Sequence, residues 1–213
     1  MEISAILFDL DGVLCSTDRF HYRAWKELAD RLGLPFNEEI NRQLRGVSRM
    51  ESLEILLRGS ERKFTFQEKA ALAEENNRRY RQLLMGLTQA DVSPRRSGRP
   101  CGNCGPGGYR QAVASSSRNT PLILQRVGLD TWFDAVIDGN QITRSKPDPE
   151  VFLRAAQALG FPPARCLVVE DADAGVEAAL RGGFPCAGIG PAARNPNVTR
   201  PLSSLSQLLQ ILP

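Results

Sequence analysis

Short apolar runs that end in acidic or small polar residues mark the start and the second half of the chain. Residues 4–12 read SAILFDLDG, a pattern typical of a buried parallel strand and the loop at its carboxyl end. Similar runs return later as YRQAVASSS, FDAVIDG, RCLVVEDADAG and FPCAGIG. The pattern therefore predicts one early strand, a long interval, and a group of later strands.

The interval over residues 20–85 has helical periodicity instead. FHYRAWKELADRLGL repeats its apolar residues at three and four, and TFQEKAALAEENNRRYRQLLMGL is typical of a long helix with a polar face. Between them, SRMESLEILLRG begins with a Ser48–Glu51 pair that resembles a capping box and ends at Gly59.

Helical stretches also separate the later strands, as TPLILQRVG, DPEVFLRAAQALG and AGVEAALRGG. Strands that alternate with helices indicate right-handed crossovers and a parallel sheet. We therefore predict an α/β fold in which residues 1–15 and 89–213 form a Rossmann-like core. Residues 16–88 would form an inserted α-helical cap.

Composition sets limits on the class of protein. The 213 residues are 42% hydrophobic and 24% charged, which is ordinary for a soluble globular protein, and the net charge of +3 gives no reason to expect a nucleic-acid partner. The sequence shows neither a signal peptide nor an apolar stretch long enough to cross a bilayer, so no membrane partner is expected. Five scattered cysteines do not indicate a disulfide framework, and a cytoplasmic protein is expected.

Reactive side chains follow the predicted strands. Ligands of an open parallel sheet bind beyond the carboxyl ends of its strands. The side chains expected there are Asp9, Asp11, Ser115, Lys146, Glu170 and Asp171. Converging carboxylates repel one another, and a divalent cation with oxygen ligands, most plausibly Mg²⁺, would relieve that repulsion. A lysine and a hydroxyl beside them suit a phosphoryl group, so the set indicates phosphoryl transfer through an aspartyl-phosphate.

Four segments carry a resemblance to a known family. FDLDGVL, ASSSRN, SKPDPEVF and VVEDADAGVEAA resemble the four motifs of the haloacid dehalogenase superfamily. Within it, TDRFHYRAWKELADRLG and LRGVSRMESL are similar to the cap of the β-phosphoglucomutases. The likeness covers nearly the whole chain except residues 93–108 and the C-terminal end.

This resemblance implies roles at the strand ends. Asp9 would be the nucleophile, and Asp11 the general acid and base. Ser115 and Lys146 would bind the transferring phosphoryl group. Mg²⁺ would be held by Asp9, the Asp11 carbonyl group and Asp171, with Glu170 in support.

The resemblance also implies a substrate site. Arg49, Ser117, Arg118 and Asn119 would clamp the second phosphate of the sugar, and His21 would couple the position of the cap to Asp11. The whole implied set is His21, Trp25, Leu44, Arg45, Gly46, Val47, Ser48, Arg49, Ser52, Asn76, Ser117, Arg118 and Asn119.

Two positions depart from the family pattern. Arg45 stands where the family has lysine, and Asn76–Asn77 stands where it has a Lys–Asn pair. Arg45 keeps the charge without the compact ammonium group, and Asn76 loses the charge. The identity of the sugar phosphate is affected more than the chemistry.

Several candidates have a structural alternative. The Asp-x-Asp-Gly segment alone is also typical of a turn, and His21 could be a surface helix residue. Residues 115–119 could simply cap the following helix. Glu170 could serve only as a structural partner of Lys146, and Trp25 could pack the cap.

The resemblance implies a Mg²⁺-dependent mutase that interconverts β-D-glucose 1-phosphate and glucose 6-phosphate through a bisphosphate intermediate. The alternatives are a sugar-phosphate phosphatase of the same fold and an inactive sugar-phosphate-binding protein. The expected partners are therefore a sugar phosphate and its bisphosphate, and the expected state is a monomer.

Residues 93–108 do not fit the pattern around them. Eight of these sixteen residues are Gly or Pro, where the family has an amphipathic helix. Each interior Pro costs a helix about 3 kcal/mol and each Gly about 1 kcal/mol. A zinc knuckle at Cys101 and Cys104 is disfavoured, because the other three cysteines lie far away in sequence.

A reading-frame slip accounts for the segment economically. One frame of CCC GGC GTT CGG encodes Pro-Gly-Val-Arg, a plausible helix start. With one inserted C, the same bases encode the Pro-Arg-Arg-Ser found at residues 94–97. We therefore hypothesise that residues 93–108 are a frame-shifted version of a core helix, which would instead form a coil over one sheet face.

Overall fold

The computed structural model describes residues 2–92 and 108–212. Its sheet has six parallel strands in the order β3-β2-β1-β4-β5-β6. The strands are β1 (Ala5–Phe8), β2 (Arg110–Ala114), β3 (Ala135–Ile137), β4 (Cys166–Glu170), β5 (Cys186–Ile189) and β6 (Arg200–Leu202). The α/β class and the parallel sheet predicted from the sequence are confirmed.

Among the described residues, four α-helices lie between β1 and β2, in the interval that has helical periodicity. They are α1 (Asp18–Leu32), α2 (Glu38–Gln43), α3 (Arg49–Leu57) and α4 (Phe66–Leu84). Later helices follow β2, β3, β4 and β6 as α5 (Thr120–Val127), α6 (Glu150–Leu159), α7 (Asp173–Arg181) and α8 (Leu208–Ile211). We propose that α1–α4 form the cap and that the remaining elements form the core.

Local sequence signals explain where the cap helices begin. The hydroxyl group of Ser48 accepts a hydrogen bond from the Glu51 amide at 3.2 Å, and the Glu51 carboxylate accepts one from the Ser48 amide at 2.8 Å. The predicted capping box at Ser48 is therefore confirmed. A second box, between Thr65 and Glu68, begins α4.

The sheet is buried on both faces, and alternate residues of β1 point to opposite sides. Ile6 and Phe8 belong to one hydrophobic cluster, whereas Ala5 and Leu7 belong to another. Each face is covered by helices, so the central strand is apolar throughout.

The cap has a hydrophobic cluster of its own, which includes Trp25, Leu28 and Leu53. The C-terminal half of α4 does not belong to it, because Tyr80 and Leu84 pack in the cluster that contains β1. Helix α4 therefore joins the cap to the core through a shared apolar surface.

Three of these helices and strands were not predicted from the sequence: the short helix α2, the edge strand β6 and the C-terminal helix α8. The zinc-knuckle and frame-slip hypotheses fall on residues 93–108, of which only Gly108 lies within the described residues. Within the described ranges, none of the helices combines the length and the hydropathy that a membrane span needs.

Candidate active site

Three carboxylates meet at the carboxyl end of the two central strands. Asp9 follows β1, Glu170 is the last residue of β4, and Asp171 comes next. Because β1 pairs with β4, with Phe8 opposite Val169, these acids are neighbours. Each offers an oxygen atom, and these atoms lie within 4.8 Å of one another. An oxygen-only set of this kind fits a hard divalent cation.

Lys146 places a buried positive charge in this group. Its Nζ atom donates to Oδ1 of Asp9 at 2.6 Å and to Oε1 of Glu170 at 2.5 Å. Burial alone would favour the neutral amine, but the two carboxylates hold the pKa of Lys146 above its usual value. The lysine is therefore charged at neutral pH.

Both oxygens of Glu170 are already engaged. Oε1 accepts from Lys146, while Oε2 accepts from the backbone amides of Asp171 at 2.9 Å and Ala172 at 3.0 Å. A side chain at Gly175 would collide with this carboxylate, because its Cβ atom would lie 1.9 Å from Oε1. These contacts fix Glu170 in position. From there it can orient both Lys146 and the loop after β4.

Asp11 lies two residues beyond Asp9 and faces the cleft. Its carboxylate accepts a hydrogen bond from the hydroxyl group of Thr17, and Nε2 of His21 lies 3.9 Å from its Oδ2. Burial raises the pKa of Asp11 to about 7, and the charge of Asp9 adds to this effect. A carboxyl group with such a pKa can both give and take a proton near neutral pH.

The pKa of Asp171 is raised in the same way, to about 8, by burial and then by the charges of Glu170 and Asp9. The sequence predicted this mutual repulsion of the strand-end acids. It is the electrostatic condition that a bound cation would relieve.

A stack of side chains links Asp11 to the far side of the cleft. The rings of His21 and Tyr80 stack with their centroids 3.9 Å apart, and the guanidinium group of Arg49 lies 5.2 Å from the Tyr80 centroid. Burial, and then the charge of Arg49, lower the pKa of His21 to about 3, so its imidazole is neutral. Arg49 also donates to Oδ1 of Asn76.

The site opens into one cleft of about 720 Å³ between the cap helices and the sheet. The predicted residues that line it are Asp9, Asp11, His21, Trp25, Leu44, Arg45, Gly46, Val47, Ser48, Arg49, Ser52, Ser115, Ser117, Arg118, Asn119 and Asp171.

Three predicted residues do not line the cleft. Lys146 and Glu170 are fully buried beneath Asp9, and Asn76 is buried behind Arg49. The neighbouring Asn77, by contrast, lines the cleft.

Sequence reasoning missed several residues of the cleft wall, among them Asp18, Asn41, Glu74, Asn77 and Ser116. Asp18 accepts from Nη2 of Arg45 at 2.8 Å, and Nη1 of Arg45 lies 4.0 Å from Oδ2 of Asp171. Asp18 lies in the first turn of α1, where an acid ordinarily stabilises the helix. The sequence therefore did not indicate that Asp18 pairs with Arg45.

The comparisons with known proteins agree with this geometry. A family model described as haloacid dehalogenase-like hydrolase matches residues 106–183. A β-phosphoglucomutase of Bacillus subtilis (strain 168) is 40% identical over 190 residues, which cover 88% of this chain and 84% of that protein. The chain belongs to the haloacid dehalogenase superfamily. The family predicted from the four motifs is therefore confirmed.

A phosphatase and a second β-phosphoglucomutase are also similar to the chain. A phosphorylated carbohydrates phosphatase of Thermotoga maritima is 32% identical over 190 residues, which cover 85% of this chain and 82% of that protein. The crystal structure of a β-phosphoglucomutase from Clostridium difficile superimposes with a TM-score of 0.89 at 33% identity. The match covers 97% of this chain and 93% of that one. This haloacid dehalogenase enzyme thus has both a mutase and a phosphatase among its relatives.

Proposed function

We propose that the protein is a Mg²⁺-dependent phosphosugar mutase that interconverts β-D-glucose 1-phosphate and glucose 6-phosphate. The observation that carries the proposal is the pairing of Asp9 with the buried ammonium group of Lys146, directly below the cleft. The cap covers this pair with cationic residues, and the B. subtilis and C. difficile β-phosphoglucomutases support the choice of reaction.

In the first step, an oxygen of Asp9 attacks the phosphorus atom of a sugar bisphosphate. The bond between phosphorus and the sugar oxygen breaks, and Asp11 gives its proton to that oxygen. Lys146 and Ser115 bind the phosphoryl oxygens during the transfer. The products are an aspartyl-phosphate on Asp9 and a sugar monophosphate.

In the second step, the other reacting hydroxyl group of the sugar monophosphate attacks the phosphorus atom of the aspartyl-phosphate. Asp11, now ionised, removes the proton of the attacking hydroxyl group, and the bond between Asp9 and phosphorus breaks. This restores the free carboxylate and the bisphosphate. Arg49 and Arg118 line the cleft, where they would hold the second phosphate group and so fix which hydroxyl faces Asp9.

Asp9, Asp171 and the backbone carbonyl group of Asp11 would hold Mg²⁺, with Glu170 in support. The cation would supply positive charge to offset the negative charge of the transferring phosphoryl group. The close approach of three carboxylate oxygens and the raised pKa of Asp171 support this assignment.

A phosphatase is the second candidate, and two residues favour it. Asn76 stands where the resemblance implies a lysine, so the side chain that contacts Arg49 behind the cleft wall carries no positive charge. Glu74 lines the cleft and adds a negative charge there. Both residues weaken a double-phosphate site, and an enzyme that transfers phosphoryl groups to water does not need one.

One assay separates these candidates. The protein is incubated with β-glucose 1-phosphate, Mg²⁺ and a trace of the bisphosphate, and glucose 6-phosphate and free phosphate are both followed. Glucose 6-phosphate in excess of phosphate supports the mutase, whereas phosphate alone supports the phosphatase. If neither product forms, both proposals are wrong, and a binding protein remains. Asp9→Asn is the control, and turnover by this variant would refute Asp9 as nucleophile.

A further inference from the structure

Asn119 is placed to cap α5, but its side chain does not. It is the N-cap residue of α5, and its side chain makes no capping hydrogen bond within the helix. Asparagine at this position ordinarily accepts a bond from a backbone amide one turn on. Asn119 is only 3% exposed, so its side-chain amide needs partners from another part of the protein.

Those partners are supplied by cap helix α4. Nδ2 of Asn119 donates to Oδ1 of Asn77 at 2.9 Å, and Oδ1 of Asn119 accepts from Nη1 of Arg81 at 3.3 Å. Residues 77 and 81 are one helical turn apart, so they lie on the same face of α4. Both ends of one amide group are therefore bound by the cap.

The other end of α5 is tied to the same part of the chain. Nη2 of Arg126 donates to the carbonyl oxygens of Met85 at 2.6 Å and Leu87 at 3.3 Å, in the segment that follows α4. Leu84 of α4 and Ile123 of α5 also share one hydrophobic cluster. The contacts of Leu84 and Arg126 lie near the C-terminal end of α4, where the chain returns to the core. The contacts of Asn119 lie closer to the N-terminal end of α4, beside the cleft.

We propose that Asn77 and Arg81 are positioning residues that hold Asn119, and with it the loop of residues 115–119, in the geometry for phosphoryl transfer. This inference rests on the proposed function, because that loop would bind both phosphate groups. Loss of either contact would loosen the loop against α4 and admit water to the aspartyl-phosphate. Transfer to water would then increase relative to transfer to sugar.

The test compares Asn77→Ala and Arg81→Gln with Arg78→Gln, a matched control on the exposed side of the same helix. The first measurement is hydrogen exchange of the backbone amides of residues 115–121 in the free enzyme. The second is the ratio of free phosphate to glucose 6-phosphate formed in the assay above. We expect both quantities to rise about fivefold in the two variants, the size of effect that one lost hydrogen bond produces, and to stay at the wild-type level in Arg78→Gln.

Asn119→Asp provides a further check, since aspartate keeps the acceptor for Arg81 and loses the donor to Asn77. We expect its amide exchange to resemble that of Asn77→Ala. If the wild type converts the sugar phosphate and both α4 variants match Arg78→Gln in either measurement, the positioning role is refuted. If no protein, the wild type included, produces either product, the proposed function fails. Amide exchange then still decides whether α4 holds the loop.

Discussion

The Nζ atom of Lys146 lies 2.6 Å from Oδ1 of Asp9, although 137 residues separate the two along the chain. The sheet order explains this contact, because β1 lies at the centre, between β2 and β4. Lys146 lies in the loop after β3, and because β3, β2, β1 and β4 run parallel, this loop reaches the same edge of the sheet as the loops after β1 and β4. The buried ammonium group offsets two of the carboxylates there, so the acids can stay close together without unfolding the site.

Lys146→Met should therefore destabilise the protein strongly. Removal of one partner from a buried ion pair leaves uncompensated charge, at a cost of about 3–5 kcal/mol. Urea denaturation measures this as a drop in the free energy of unfolding. Lys69→Met is the control, because Lys69 pairs with Glu54 on the cap surface, and its loss should cost less than about 1 kcal/mol. Equal effects of the two substitutions would contradict the buried-pair argument.

Magnesium should stabilise the folded protein through Asp171. At a concentration about 100 times its dissociation constant, a bound ion adds about 2.7 kcal/mol to the free energy of unfolding. We expect Mg²⁺ to raise the melting temperature of the wild type and to leave that of Asp171→Asn nearly unchanged.

Asp173→Asn is the matched control for the magnesium experiment, since Asp173 is exposed and lies two residues from Asp171. It should respond to Mg²⁺ as the wild type does. A full response in Asp171→Asn would rule out the assigned ligand. Chelation by EDTA should also stop turnover, and addition of Mg²⁺ should restore it.

Much of the fold was predictable because its signals are local. The capping box of α3 lies within four residues, and the apolar runs of β1 and β4 are continuous. Strand β6 (Arg200–Leu202) was not predicted because it has only three residues and one of them is Pro201. Proline is tolerated there because β6 lies at the edge of the sheet. Helix α2 has one turn and a half of mostly polar residues, so it has no apolar periodicity.

The candidate site was predictable only in part, for a physical reason. Motifs identified Asp9, Lys146 and Asp171, because strand ends converge in any parallel sheet. Which face of α4 points into the cleft depends on how the helix packs. The sequence therefore selected Asn76, whereas Asn77 lines the cleft and Asn76 is buried behind Arg49.

Gly175→Ala should damage the site through Glu170. The added methyl group would lie 1.9 Å from Oε1 of Glu170, so the carboxylate that orients Lys146 must move. Overpacking of this kind costs about 1–3 kcal/mol. We expect a lower denaturation midpoint and at least a tenfold loss of turnover, about what 1.4 kcal/mol at the transition state would produce.

Gly59→Ala is the control for this substitution. Its methyl group would meet Cδ of Pro35 at 3.5 Å, an ordinary van der Waals contact. This variant should unfold and turn over as the wild type does. If Gly175→Ala also behaves as the wild type, then Glu170 is not held as tightly as its hydrogen bonds indicate.

Three cysteines should be unreactive in the native protein. Cys15, Cys166 and Cys186 are at most 1% exposed, and burial raises the pKa of Cys166 to about 11 and of Cys186 to about 12. Because both values lie well above neutral, an increase of the pH from 7 to about 9 should leave these thiols protonated.

The thiol prediction is tested with a variant in which Cys101 and Cys104 are both serine. Ellman's reagent should not react with this variant under native conditions, and should titrate all three remaining thiols in denaturant. Fast labelling of the native variant at pH 7 would show that the sheet opens readily.

The Gly- and Pro-rich composition of residues 93–108 predicts that the protein is measurably less stable than a version with a helix in this segment. We expect resequencing to reveal a single-base insertion before residue 95 and a compensating change before Tyr109. A gene restored to the alternative frame should encode an amphipathic helix in this segment, which can bury apolar side chains against the sheet. Its product should gain several kcal/mol in the free energy of unfolding by urea. If the frame is unbroken in high-quality reads and the restored protein is no more stable, then the glycine- and proline-rich sequence is native to this enzyme. The packing that the helix would supply must then come from other residues.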